Sequence, residues 1–197
     1  MSSSPWPTLD YSSWSDTLDT LHQWLQIVGK IRLRAMPWQN HSWHVALYVS
    51  PTGFTTHAIP YGGDLFQIDF DFINHRLRIS TSFAEARELE LAPRSVADFY
   101  AELMDKLQEL GIDIEIYPRP NEMEPAIPFA ENETNRHYDA VAVNNFWKAM
   151  VRIDGVFQKF RSGFIGKCSP VHLFWGAFDL AVTRFSGRPA PPHPIVQ

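Results

Sequence analysis

The sequence predicts an α+β domain of two layers, with three amphipathic helices packed on a largely antiparallel sheet of about six to seven strands. Apolar residues recur at helical spacing in three separate stretches. Alternation of apolar and polar residues fills the stretches between them, and two pairs of strands can be placed in register from side-chain pairing alone. Helices and hairpins that share one chain need a common core, and a two-layer domain provides it.

Each helix is predicted by an apolar stripe and by signals at its ends. The first helix begins at Ser13 or Ser15, and the second uses Ser95 as N-cap and ends at Gly111. The third helix spans 138–161. The stripes consist of Trp14, Leu18, Leu21, Leu25 and Val28, then Val96, Phe99, Leu103, Leu107 and Leu110, then Phe146, Met150, Ile153, Phe157 and Phe160.

Polar residues on the flank of the first helix are interpreted as a face that contacts solvent. They are His22, Gln26 and Lys30, spaced four residues apart. Residues 119–137 are rich in Pro, Asn and Glu, and we expect a long loop that is functional or mobile.

Strands are predicted at 45–49, 54–59, 66–72, 76–79 and 112–117, with a further short strand at 88–91. With residues 73 and 74 as a loop, the central hairpin can be placed in register. Its predicted pairs are Phe70 with Leu77, Ile68 with Ile79, Asp71 with Arg76, and Asp69 with Arg78. Apolar pairs then share one face, and opposite charges pair on the other as a surface ladder.

Residues 171–186 form either an aromatic hairpin or a helix, and the sequence favours the hairpin. With Gly176 and Ala177 as a type II′ loop, Leu173 lies opposite Leu180. The same register brings His172 opposite Ala181, with Asp179 and Thr183 diagonal to it. These three polar residues share one face in either interpretation.

The hairpin carries the side chains most capable of chemistry. His172 is a candidate general base that Asp179 would orient, and the alternative is a buried polar network without catalysis. The other residues could contact a small polar or anionic ligand, the arginines by charge and the indole as an apolar wall. These candidate ligand-binding residues are Lys167, Ser169, Trp175, Thr183, Arg184 and Arg188.

Composition excludes several classes of protein. A net charge of −5 and the lack of a basic run argue against nucleic-acid or anionic-membrane binding, and no segment is apolar enough to span a bilayer. Cys168 is the only cysteine, which excludes an internal disulfide and suits the cytoplasm. His41 and His44 do not complete a metal site, G-x-x-G-K at 163–167 is not a phosphate loop, and no cofactor motif is present.

Four segments together resemble a known family. They are LHQWLQIVGKIRL, FQIDFDFINHRLRI, RSVADFY and GKCSPVHLFWGAFDLAVTRFSGRPAP. They resemble mainly bacterial proteins grouped as domain of unknown function 5996, over nearly the whole chain from Trp14 to Pro191. The resemblance brings no reaction, cofactor or catalytic residue. Members continue past the RPAP stretch with a further aromatic-rich segment, so it implies a short or a truncated member.

We therefore expect a flexible N-terminus at 1–12, one α+β domain at 13–188 and a Pro-rich extended tail at 189–197. The leading hypothesis is a cytoplasmic protein that binds a small polar or anionic molecule between the hairpin and the 119–137 loop, with hydrolysis as its reaction if it is an enzyme. The alternative is an interaction or homo-oligomerisation module whose exposed aromatics and tail contact another subunit.

Overall fold

The computed structural model describes residues 6–189, so most of the expected Pro-rich tail and residues 1–5 lie outside the described part. Three helices and a mostly antiparallel sheet confirm the predicted α+β class. The helices are α1 (Tyr11–Ala35), α2 (Val96–Glu109) and α3 (Ala140–Ser162). The strands are β1 (Tyr48–Val49), β2 (Gly53–Thr55), β3 (Ile59–Tyr61), β4 (Asp64–Asp71), β5 (Arg76–Thr81), β6 (Ala86–Glu90), β7 (His172–Phe174) and β8 (Asp179–Ala181).

The main sheet has six strands in the order β1-β2-β4-β5-β6, and β3 pairs with β4 beyond the end of β2. A two-stranded sheet of β7 and β8 continues it at the β1 edge. Leu47 and Leu173 exchange two backbone hydrogen bonds there, of 3.0 and 2.8 Å. The hairpin is therefore fixed beside β1 rather than standing apart from the core.

The central hairpin confirms the predicted register. Phe70 faces Leu77 and Asp69 faces Arg78 across β4 and β5. The expected ladder of Asp–Arg ion pairs is wrong, however, because both arginines bind Glu88 of β6, at 2.9 and 3.0 Å. Asp71 instead accepts hydrogen bonds from the backbone of the turn that follows it. The arginines therefore pair with a carboxylate of the next strand, β6, and not with the aspartates of the hairpin.

The hairpin interpretation of 171–186 is also confirmed, with Leu173 opposite Leu180 and His172 opposite Ala181. The type II′ loop is wrong, because the positive φ of a four-residue turn falls on Phe178 rather than on Gly176.

The predicted strand at 112–117 does not form. Ile112 and Ile114 are buried, as their alternation indicates, but the backbone of Asp113 bonds the Tyr61 hydroxyl instead of another strand.

Helix α1 lies at the centre of the molecule, and this position decides the candidate site. It packs between α2 and α3, and residues 23–32 are buried without interruption. The hairpin and the connection after α2 cover the side of α1 that the other helices leave open. The polar flank of α1 is consequently enclosed by protein, and the prediction that this whole flank contacts solvent is wrong.

Candidate functional site

His172 is buried, with 1% of its surface exposed, and its ring is oriented by the backbone. Its Nδ1 lies 2.7 Å from the carbonyl oxygen of Pro170, so Nδ1 carries the proton. Its Nε2 is buried without a hydrogen-bond partner within residues 6–189. Asp179 is exposed and acts on the ring only through its charge, while burial lowers the pKa of His172. The orienting group is thus Pro170 rather than Asp179.

Ser169 and Thr183 hold the two ends of the hairpin together. The Ser169 hydroxyl accepts a hydrogen bond of 2.7 Å from the Thr183 backbone N–H, and its own N–H donates to the Thr183 carbonyl. The Ser169 carbonyl accepts from Nε of Arg161 at 2.7 Å. Because Ser169 is fully buried and its hydroxyl is already engaged, it contributes to the structure of the hairpin base.

The remaining predicted ligand-binding residues point in different directions. Lys167 Nζ lies 2.7 Å from Nε2 of His41. The Arg184 guanidinium stacks on the Phe160 ring, 3.7 Å from its centroid. Arg188 is exposed at the end of the described chain. Trp175 turns inward and donates from Nε1 to the Val45 carbonyl at 2.8 Å. The hairpin residues therefore do not converge on one site.

A different polar cluster lies on the inner side of the hairpin, along the enclosed flank of α1. His22, Gln26 and Lys30 are spaced by four residues and so follow one another on a single helical face. They contact two segments of the chain, residues 117–122 and the turn 175–178. We call this cluster the α1 polar face.

Gln26 fixes the backbone of Asn121. Its side-chain oxygen accepts a hydrogen bond of 2.7 Å from the Asn121 N–H, and its amide nitrogen donates to the Asn121 carbonyl at 2.9 Å. A side-chain amide thus pairs with a backbone peptide group on both sides. The main chain at residue 121 is held against α1, while its side chain is left to bind elsewhere.

Lys30 is a buried cation without a carboxylate partner. Only 4% of its surface is exposed, and it forms no ion pair within residues 6–189. Its Nζ donates to Oδ1 of Asn121 at 2.6 Å and lies 5.2 and 5.4 Å from the ring centroids of Tyr117 and Trp175. Burial lowers the pKa of the Lys30 ammonium. The Lys30 ammonium is therefore surrounded by the neutral amide of Asn121 and by two aromatic rings. A carboxylate or phosphate at this position would neutralise its charge.

His22 forms the other end of the α1 polar face. Its Nε2 lies 2.8 and 3.0 Å from the carbonyl oxygens of Trp175 and Gly176, so Nε2 carries the proton and Nδ1 keeps its lone pair. The ring packs against Phe178 with 4.7 Å between centroids. Burial lowers its pKa, and this outweighs the opposing effects of its two backbone hydrogen bonds and of the nearby carboxylates. The neutral ring can accept one hydrogen bond or proton.

A second buried cation, Arg32, lies two residues further along α1. The Arg32 guanidinium donates to the Thr56 carbonyl and lies 5.8 Å from the Tyr48 ring centroid, and its Nε has no partner in the described chain. Burial lowers its pKa as well. The C-terminal half of α1 thus buries two cations that no carboxylate of residues 6–189 neutralises.

Comparison with known proteins identifies a family. The model of a family of unknown function, DUF5996, matches residues 6–197. The chain belongs to this family. No curated protein and no solved structure matches it. The resemblance seen in the four sequence segments is thereby confirmed, and the function of this DUF5996 member has to be derived from its own geometry.

The described part of this DUF5996 chain was also compared with the requirements of a metal site and of a membrane-spanning helix. Within residues 6–189, no three His, Cys, Asp or Glu side chains are grouped as a metal ion requires, and no helix has the length and apolarity to cross a membrane. The spacing of the α1 polar face was visible in the sequence. Its burial was not, since the covering segments lie about 90 and 150 residues further along the chain.

Burial of several histidines predicts that acid destabilises this DUF5996 protein. Burial lowers the pKa of His22, His57 and His172 below the ordinary value of 6.5. The unfolded chain then binds more protons than the folded one, so stability is complete above that value and is lost as pH falls through the folded pKa values. Urea unfolding at about pH 7.5 and about pH 5.5 should give the lower free energy of unfolding in acid.

A matched pair of variants tests the source of this pH dependence. His22→Gln should reduce the difference between the two pH values, whereas Gln108→Asn, at an exposed position without a titratable group, should leave it unchanged. Equal free energies of unfolding at both pH values in the wild-type protein would contradict the prediction.

Proposed function

We propose that this protein binds a small anionic molecule at the α1 polar face, between residues 117–122 and the hairpin turn. The observation that supports it is the uncompensated charge of Lys30. Removing an ammonium group from water costs several kcal/mol, and a single neutral hydrogen bond offsets only part of that cost. A bound carboxylate or phosphate would supply the missing counter-charge.

The covering of Lys30 is thin enough for a ligand to enter. Tyr117 is 66% exposed, and Asn121 is exposed as well. Because Gln26 holds the Asn121 main chain, an entering anion would need to displace only the Asn121 side chain from Nζ. The backbone of the site would stay in place, and so binding would require little reorganisation.

The surroundings restrict the class of ligand. Two aromatic rings near Nζ favour a flat, partly apolar body next to the anionic group. At the far end, His22 offers a lone pair, and Asp19 and Glu122 lie nearby with their negative charges. Eight residues of helix separate the two ends by roughly 12 Å. The favoured ligand is a small carboxylate or phosphate that carries a hydrogen-bond donor away from its anionic group.

If the protein is an enzyme, His22 is the group best placed to act on such a ligand. Its proton is fixed on Nε2 by two carbonyl oxygens, and its neutral Nδ1 could take a proton from water or from the ligand. The expected role of His172 as base has less support, because Nε2 of that residue is buried. A cytoplasmic location suits the single cysteine, and a bacterial origin rests on the family resemblance.

The proposal predicts that a flat carboxylate stabilises the protein through Lys30. Benzoate should raise the melting temperature, whereas benzamide, its neutral isostere, should not. At about a hundred times Kd, bound ligand adds roughly 2.7 kcal/mol, or about 5–10 °C for a chain of this size. Differential scanning fluorimetry at constant ionic strength measures the shift.

Two lysine variants make the test specific. Lys30→Met removes the charge but keeps the length of the side chain, and it should abolish the benzoate shift without destabilising the free protein. Lys148→Met, at an exposed position of α3, should keep the shift. A benzoate shift that survives in Lys30→Met, or one that benzamide reproduces, would contradict the proposal.

A further inference from the structure

Helix α3 extends well past the core of the domain. All of its buried residues lie between Val143 and Met150, and most residues of the following turns are exposed. Apolar side chains nevertheless continue there, since Val156 is 59% and Phe160 47% exposed. Ile165, just after the helix, is fully exposed. These three side chains therefore leave an apolar surface open to solvent.

The same part of the chain carries most of the unneutralised positive charge. Residues 148–188 contain seven basic residues (Lys or Arg) and two acidic ones. The rest of the chain contains ten basic and twenty acidic residues. No ion pair within residues 6–189 involves any of these seven, whereas six of the other ten are paired. The seven are Lys148, Arg152, Lys159, Arg161, Lys167, Arg184 and Arg188.

Cations and apolar groups share one side of the exposed helix. Arg152, Val156, Lys159 and Phe160 are spaced by four, three and one residues, and this spacing places them on one face. The Arg184 guanidinium covers the Phe160 ring and borders the same surface. We call these five residues the basic α3 face.

We propose that the basic α3 face docks an acidic amphipathic segment of a partner protein. An amphipathic helix would lay its apolar side on Val156 and Phe160 and place its carboxylates beside Arg152, Lys159 and Arg184. The arginines would gain the ion pairs that they lack within residues 6–189, and the exposed apolar side chains would leave water. This surface is separate from the α1 polar face.

Two different features argue against the other occupants: charge against a second copy, and the lack of an open aromatic ring against nucleic acid. A second copy that packed its α3 face to face would bring positive charges together. Single-stranded nucleic acid binds by stacking bases on open aromatic faces, but the guanidinium of Arg184 already lies 3.7 Å from the Phe160 centroid. The aliphatic side chains of Val156 and Ile165 offer no stacking platform. A protein segment that combines acidic and apolar residues fits both features.

A labelled amphipathic helical peptide of Leu and Glu tests the proposal with the full-length protein. Fluorescence anisotropy should show binding that weakens as salt is added, and none to a Leu/Lys peptide of the same pattern. Lys159→Glu together with Phe160→Ser should weaken binding at least tenfold. Arg34→Glu should keep the binding, because Arg34 is an exposed cation outside this face that forms no ion pair in the described part of the chain.

Other results would overturn the proposal. They are failure to bind the Leu/Glu peptide, equal binding by the double variant, and equal binding of the Leu/Lys peptide. Salt-sensitive self-association in sedimentation velocity, lost in the double variant, would assign the face to a second copy instead. Binding of oligonucleotides or anionic vesicles that the double variant loses, without peptide binding, would assign it to those surfaces.

Discussion

Gly29→Ala should lower the free energy of unfolding by about 3 kcal/mol, the upper part of the range for overpacking a core. A methyl group on Gly29 would lie 2.3 Å from two ring atoms of Trp175. The indole is buried and its Nε1 is bound to the Val45 carbonyl, so it cannot move aside cheaply. Alanine gains about 0.5–1 kcal/mol as a helix former, which offsets only part of the clash. Urea denaturation measures the difference.

Two controls test whether contact with Trp175 causes this loss: the same substitution at another helix glycine, and Gly29→Ala in a protein that lacks the Trp175 ring. Gly155 lies in α3, and apart from its own turn of helix no atom of residues 6–189 lies within 4 Å of a methyl group added there. Gly155→Ala should therefore stabilise the protein by about 0.5–1 kcal/mol. In a Trp175→Ala background the clash disappears, so Gly29→Ala should there cost nothing. The account of the α1–hairpin contact is wrong if Gly29→Ala costs the same in both backgrounds.

Phe129→Ala should cost about 3–5 kcal/mol, as truncation of a fully buried aromatic residue does. Phe129 has no exposed surface, although it lies in the long connection between α2 and α3. Its N–H donates to the Pro118 carbonyl at 2.8 Å, and its ring packs 6.1 Å from that of Tyr100. Phe129 thus anchors the α2–α3 connection in the core, and the first part of this connection covers Lys30.

The matched control lies two residues away in the same connection. Glu131 is exposed and forms no ion pair within the described chain, so Glu131→Ala should change the free energy of unfolding by no more than about 0.5 kcal/mol. Both variants can be compared by urea denaturation. A similar small effect of Phe129→Ala would mean that the connection is not part of the cooperative core.

The sequence predicted those elements whose pairing partners are close in the chain. The register of β4 with β5 followed from local alternation, and that of β7 with β8 did too. Alternation at Ile112 and Ile114 correctly indicated burial, but it could not indicate pairing, because the neighbour is the Tyr61 hydroxyl. Alternating burial needs a core on one side only, whereas a strand needs a partner with free backbone groups.

The candidate site was less accessible to sequence analysis. The sequence predicts that the hairpin residues Lys167, Trp175 and Arg184 act together. In the fold, Lys167 contacts His41, Arg184 packs on the Phe160 ring, and the Trp175 indole turns inward to the Val45 carbonyl. His22 and Lys30 were interpreted as solvated because nothing local covers them. Their burial depends on contacts with Asn121 and the 175–176 carbonyls, which only the folded chain brings together.

Binding of an anion at Lys30 can be observed by an NMR titration. Benzoate is added to ¹⁵N-labelled protein while the side-chain signals of Asn121 and Trp175 are followed. If the anion binds at Lys30, the Asn121 side-chain amide and the Trp175 indole N–H should show saturable shifts, and both shifts should be lost in Lys30→Met. Shifts confined to the basic α3 face, or shifts of Asn121 that persist in Lys30→Met, would contradict it.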